Sequence, residues 1–75
     1  MEKKLKSIAE VVLERHIERR MRRCEFEREM LNLIDKMQPS EFVEGLRFKH
    51  TEKLLKHSAA LAQLQQELRE KFGHV

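Results

Sequence analysis

The sequence predicts an all-α protein that folds as a helical hairpin, that is, two long antiparallel helices joined by a short turn. The chain of 75 residues contains one proline, Pro39, close to its midpoint. Apolar residues recur at spacings of three and four on both sides of that proline, as on the buried face of a helix. Charged residues make up 39% of the sequence and hydrophobic residues 40%, which is typical of long helices with much exposed surface.

The proline indicates where the first helix ends. Proline lacks an N–H group and disfavours the helical conformation in the residue before it, so a helix over about residues 2–37 should stop near Gln38. The side chain of Ser40 can then accept a hydrogen bond from the first turn of a second helix. We therefore expect the turn to lie at Gln38–Ser40.

The second helix is predicted over about residues 41–72, with Gly73 as the residue that ends it. Gly45 weakens the start of this helix, because glycine costs about 1 kcal/mol relative to alanine in a helix interior. Thr51 could begin a fresh helix as an N-cap. The sequence thus allows a bend or break within residues 45–51.

Two apolar stripes run along the first helix, and two along the second. The first stripe of the first helix contains Leu5, Ile8, Val12, Phe26, Met30, Leu33 and Met37. Its second stripe contains Leu13, Ile17, Met21, Cys24, Leu31 and Ile34. On the second helix the main stripe contains Leu54, Leu61, Leu64, Leu68 and Phe72, and the narrower one contains Phe48, Leu55, Ala59 and Ala62. A helix with two apolar stripes is expected to have two neighbours.

Residues 1–75 are expected to form a single domain, and at this length a single hydrophobic core gives only marginal stability without further support. The single cysteine, Cys24, excludes an internal disulfide, and the isolated histidines suggest no zinc site. Oligomerisation or a partner protein would supply the missing contacts. We expect the hairpin to form a dimeric four-helix bundle or to dock on the helices of a partner.

The predicted partner-binding surface consists of the stripes that one antiparallel neighbour leaves uncovered. The residues assigned to it are Leu13, Ile17, Met21, Cys24, Leu31, Leu55, Ala59 and Ala62. The sequence accordingly favours a non-catalytic interaction module that self-associates or binds a helical protein, in the role of a small adaptor, chaperone or regulator.

A basic mid-section supports an alternative function, nucleic-acid binding. It extends over Arg15–Arg23 and Lys49–Lys56, and the net charge of the chain is +3. The residues predicted to contact phosphates or an acidic partner are Arg15, Arg19, Arg22, Arg23, Lys53 and Lys56. Two observations argue against this alternative: glutamates are interleaved with the arginines, and the chain has no Trp or Tyr to stack on bases. The arginines could instead lie on a solvated helix face.

No motif in the sequence indicates catalysis, a cofactor, a metal ion or a small-molecule substrate. There are two glycines, so a phosphate-binding glycine loop is excluded, and no metal-binding His-Glu-x-x-His or Glu-x-x-His pattern occurs. No apolar run is long enough to cross a membrane or to act as an export signal. We therefore expect a non-enzymatic, cytoplasmic protein.

Overall fold

A computed structural model describes residues 6–73, which form a hairpin of two helices and contain no strand. Helix α1 spans Ile8–Asp35 and helix α2 spans Glu41–Phe72. The two helices pack against each other in a hairpin that measures 59 × 20 × 18 Å. The predicted all-α hairpin is confirmed.

Helix α1 is shorter than predicted at both ends. It begins at Ile8 because the Oγ of Ser7 accepts a hydrogen bond from the N–H of Glu10 at 3.2 Å. Residues 2–5 of the predicted helix lie outside the described residues. At the other end, the N–H groups of Lys36 and Met37 donate to carbonyls only three residues back, at 3.1 and 3.0 Å. These bonds tighten the last turn and end α1 at Asp35, so the connection comprises residues 36–40.

Helix α2 begins and ends where the sequence predicts. The Oγ of Ser40 accepts from the N–H of Val43 at 3.1 Å. Gly73 takes a left-handed conformation with a φ of 66°, and its N–H donates to the carbonyl of Arg69 at 2.9 Å.

No break interrupts α2 within residues 45–51. Gly45 lies in continuous helix, and Thr51 is an ordinary helical residue rather than a cap. Val43 is buried and Leu46 half-buried on either side of Gly45, so contacts with α1 hold the helix where glycine alone would weaken it.

The interface between the helices, which we call the seam, follows a seven-residue repeat. On α1 the seam positions alternate at spacings of four and three, at Leu13, Ile17, Arg20, Cys24, Glu27, Leu31 and Ile34. On α2 they are Val43, Arg47, His50, Leu54, His57, Leu61, Leu64 and Leu68. Each of these residues is buried or half-buried, as expected for two helices wound around each other with this period.

The structure shows that the second stripe of α1, not the first, faces α2. Leu13, Ile17 and Cys24, which we predicted to contact a partner, are buried between the helices, and Leu31 is half-buried there. The first stripe instead stays exposed, at Ile8, Val12, Phe26 and Leu33. The second stripe keeps the four-three alternation from Leu13 to Ile34 with Arg20 and Glu27 in place of apolar residues, and both have partners on α2. Met21 falls outside this alternation and is exposed. In the first stripe Arg15, Arg19 and Arg22 take the place of apolar residues, and all three are exposed.

Neither helix, over the part of the chain that the structure describes, has an apolar stretch long enough to cross a lipid bilayer.

Candidate functional site

Polar side chains occupy the middle of the seam and pair across it. The Nη1 of Arg20 lies 2.7 Å from the Nδ1 of His57, and the Nδ1 of His50 lies 2.5 Å from Oε2 of Glu27. Between these two pairs, the Sγ of Cys24 lies 3.7 Å from the Oγ of Ser58. The central part of the hairpin is therefore held together by polar contacts, with apolar residues at both ends of the seam.

Glu27 and His50 form the most buried of these pairs. Their side chains are 4% and 12% exposed, and Glu27 is the one buried charged residue among residues 6–73. A carboxylate with so little access to water needs a partner that compensates its lost hydration, and the ring of His50 provides a hydrogen bond. This pair has a structural role, since it is closed to ligands.

Arg20 and His57 form a pair that opens to solvent. Arginine can only donate, so Nδ1 of His57 accepts from Arg20 and its proton resides on Nε2. Partial burial lowers the pKa of His57, and the positive charges of Arg20, Arg23 and Lys56 lower it further, while Glu27 acts in the opposite direction. His57 is therefore a neutral donor in a strongly positive environment.

A cavity of about 350 Å³ lies over this pair, and we call it the basic cavity. Its lining contains three arginines, two histidines and no carboxylate, contributed by His16, Arg19, Arg20, Arg23 and His57. The hairpin thus brings His57 of α2 opposite the arginines of α1. Two of the predicted phosphate contacts, Arg19 and Arg23, lie in this cavity.

The other predicted phosphate contacts lie outside the basic cavity. Arg15 and Arg22 line a separate depression with Arg19 and Glu18, and Arg22 forms an ion pair with Glu18 at 3.4 Å. This ion pair joins residues four apart on one helix, and it neutralises part of that surface.

Lys53 and Lys56 line a third depression, on α2, together with Lys49 and Glu52. Lys56 is close enough to His57 for its charge to affect the pKa of that residue. The lysines of α2 thus extend the positive region away from the basic cavity.

The remaining partner-stripe residues are on the surface. Met21, Leu55, Ala59 and Ala62 are all exposed, with Leu55 at 65%. The α2 half of the predicted partner-binding stripe is therefore accessible, whereas most of its α1 half is in the seam.

The hydrophobicity of the sequence did not reveal Arg20 and Glu27 as seam residues. Both interrupt the apolar stripe of α1, so a search for apolar spacing passes over them. The signal that could have found them is the unbroken alternation of four and three from Leu13 to Ile34, which includes positions 20 and 27 whatever residue occupies them. The histidines at positions 50 and 57 share a face with Leu54 and Leu61, and the seam position that this spacing predicts for them is observed.

No group of three or more His, Cys, Asp or Glu side chains within residues 6–73 is placed to hold a metal ion. Comparison with protein-family models, with curated proteins and with solved structures finds no match to this chain.

Proposed function

We propose that this hairpin is a non-catalytic protein–protein interaction module that self-associates through exposed apolar residues, as a small adaptor, chaperone or regulator would. The observation that supports this proposal is the imbalance between covered and uncovered apolar side chains. Nine large apolar residues in the described part of the chain are exposed, and five hydrophobic residues are buried. Where exposed apolar side chains form a contiguous patch of more than a few hundred Å², the patch marks an interaction site.

The surface best suited to self-association lies near the turn. We call it the turn-end face and define it by Phe26, Leu33, Met37 and Phe42, whose exposures range from 47% for Met37 to 71% for Phe42. Phe26 and Leu33 are seven residues apart and so share one side of α1. Together these side chains offer roughly 500 Å² of apolar surface, given that one phenylalanine can bury 150–250 Å².

A second copy of the chain is the occupant that fits this face. A standard interface covers about 800 Å² on each partner, and the apolar face with a polar rim approaches that area. A two-fold dimer brings identical residues together. The turn-end face has no charged member, so its self-contact creates no repulsion, whereas contact through the basic mid-section would place arginines against arginines.

Light scattering with chromatographic separation tests this proposal. Wild-type protein at micromolar concentration is expected to have twice the monomer mass of 9.1 kDa. The Phe26→Glu/Leu33→Glu variant is expected to be a monomer with unchanged helix content, because it places two carboxylates in the apolar contact and alters no seam residue.

The matched control is Phe48→Glu/Leu55→Glu, which adds the same charge at two exposed positions on another side of the hairpin. This control should remain a dimer. A monomeric wild-type protein would contradict self-association. If the control variant dissociates while Phe26→Glu/Leu33→Glu stays dimeric, the interface lies at Phe48 and Leu55, and the turn-end face is the wrong assignment.

Nucleic-acid binding is a second candidate function, and a specific observation favours it. Among residues 6–73, none of Arg19, Arg23, Lys49, Lys53 and Lys56 forms an ion pair with a carboxylate. Arg19 is seven residues before Phe26, and Lys49 seven after Phe42, so these cations lie on the same side of each helix as the turn-end face. Cations without carboxylate partners are available to contact phosphates.

Gel mobility and fluorescence anisotropy with duplex DNA and RNA hairpins test this candidate. Binding is expected to weaken steeply with added salt, because each phosphate contact releases a counterion. The Arg19→Gln/Arg23→Gln variant should weaken binding and lower the salt slope by about 2, one for each lost contact. A complete absence of binding at low salt would exclude nucleic acid as the ligand.

A further inference from the structure

The basic cavity concentrates positive charge in a way that a solvated helix face does not. Arg19 and Arg23 are one helical turn apart on α1, and His57 enters from α2. Like charges at this spacing destabilise a helix, so the arrangement has a cost in the unliganded protein. An anion in the cavity would remove that repulsion.

The protein itself supplies no carboxylate to this cavity. The ion pairs of the described residues involve other cations, including Arg22 with Glu18, Arg47 with Asp35, and Lys71 with Glu67. Glu27 is the carboxylate whose charge reaches His57, but it is buried and bound to His50. The guanidinium groups of Arg19 and Arg23 therefore keep their hydrogen-bond donors available.

His57 adds a donor of a different kind. Its Nδ1 is already occupied by Arg20, which fixes the orientation of the ring and leaves the proton on Nε2. A guanidinium fork pairs with two oxygens of either a carboxylate or a phosphate, but only a phosphate has a further oxygen for a third donor such as the N–H of His57.

We propose that the basic cavity binds a single phosphate group, with Arg19 and Arg23 as charged donors, His57 as a neutral donor and Arg20 as the residue that positions His57. This site deepens the second candidate function, because a nucleic-acid backbone would present such a group. It does not depend on that function, since a free phosphate has the same chemistry.

Titration with inorganic phosphate at constant ionic strength, followed by NMR of the histidine side chains, tests the site directly. A saturable change is expected at the Nε2 of His57, with smaller changes at His16. Bound phosphate should also raise the pKa of His57, because an anion close to the ring favours its protonated form. Nucleic acid is titrated in parallel, so that the two sources of phosphate are distinguished.

Two variants with the same loss of charge separate a local site from general attraction. Arg19→Gln/Arg23→Gln should weaken phosphate binding at least tenfold. Arg15→Gln/Arg22→Gln should change it less than twofold, because these arginines lie outside the basic cavity. Both variants replace exposed residues, and circular dichroism is expected to show unchanged helix content.

Three results would overturn the proposal: no saturable response to phosphate, equal weakening in the two variants, or the same response to acetate or a glutamate-rich peptide. Phosphate binding without nucleic-acid binding would uphold the site and reject the second candidate function. Nucleic-acid binding without a response of His57 to phosphate would uphold the second candidate function and reject the phosphate site.

Discussion

Replacing His50 with leucine is expected to lower the free energy of unfolding by about 3 kcal/mol. The substitution leaves the carboxylate of Glu27 buried without its partner, and loss of one member of a buried pair typically costs 3–5 kcal/mol. Urea unfolding followed by circular dichroism at a fixed protein concentration measures the effect.

The double variant Glu27→Leu/His50→Leu should recover most of that loss. It removes both polar groups and fills the space with apolar side chains, a replacement that is often neutral or stabilising. The double-mutant cycle built from these variants reports the coupling between the two residues.

His57→Leu is the matched control, because it makes the same change one repeat further along α2. Arg20 can turn its guanidinium towards water when His57 is removed, so the expected cost is below about 1 kcal/mol. Equal losses for His50→Leu and His57→Leu would contradict the special burial of the Glu27–His50 pair.

The polar pairs also explain how the hairpin keeps its alignment. A seam of leucines alone would tolerate a slip of one repeat, because every apolar residue would meet another. A slip of seven residues in one direction would set Arg20 opposite Leu64 and His50 opposite Ile34. The polar groups of Arg20 and His50 would then have no partner across the seam. The pairs thus favour one register, which in turn brings His57 to Arg20 and builds the basic cavity.

The helical hairpin could be predicted from the sequence because its signals are local. Pro39, Ser40 and Gly73 each act through their own backbone geometry, and the structure confirms the positions of the two caps of α2. The end of α1 was harder to place, since the three-residue hydrogen bonds at Lys36 and Met37 depend on how the connection closes.

The choice of stripe could not be predicted from apolar spacing alone. Both stripes of α1 are apolar enough to face a neighbour, and the decision depends on which one matches the repeat of α2. Glu27 and Arg20 belong to the matching stripe but look like surface residues in the sequence. The basic mid-section was visible in the sequence, but its concentration into a cavity with His57 required the register of the two helices.

The neighbours Ile34 and Leu33 provide a direct test of which α1 stripe is covered. Ile34 is 2% exposed in the seam and Leu33 is 56% exposed on the turn-end face. Ile34→Ala is expected to cost about 3 kcal/mol, since truncation of a buried isoleucine loses 2–5 kcal/mol through lost contacts and the cavity left behind. Urea unfolding of the variant and the wild type at matched protein concentration measures this difference, which should be the same at low and high concentration.

Leu33→Ala is expected to behave differently because its contacts are proposed to come from a second copy. At a concentration low enough to dissociate the dimer, its cost should fall within about 0.5 kcal/mol of zero, as for an ordinary surface substitution. At high concentration the same variant should be measurably less stable than wild type, because it weakens an assembly that stabilises the folded state by mass action. A large, concentration-independent loss for Leu33→Ala would show that the first stripe is covered within one chain, and a negligible loss for Ile34→Ala would show that the second is not.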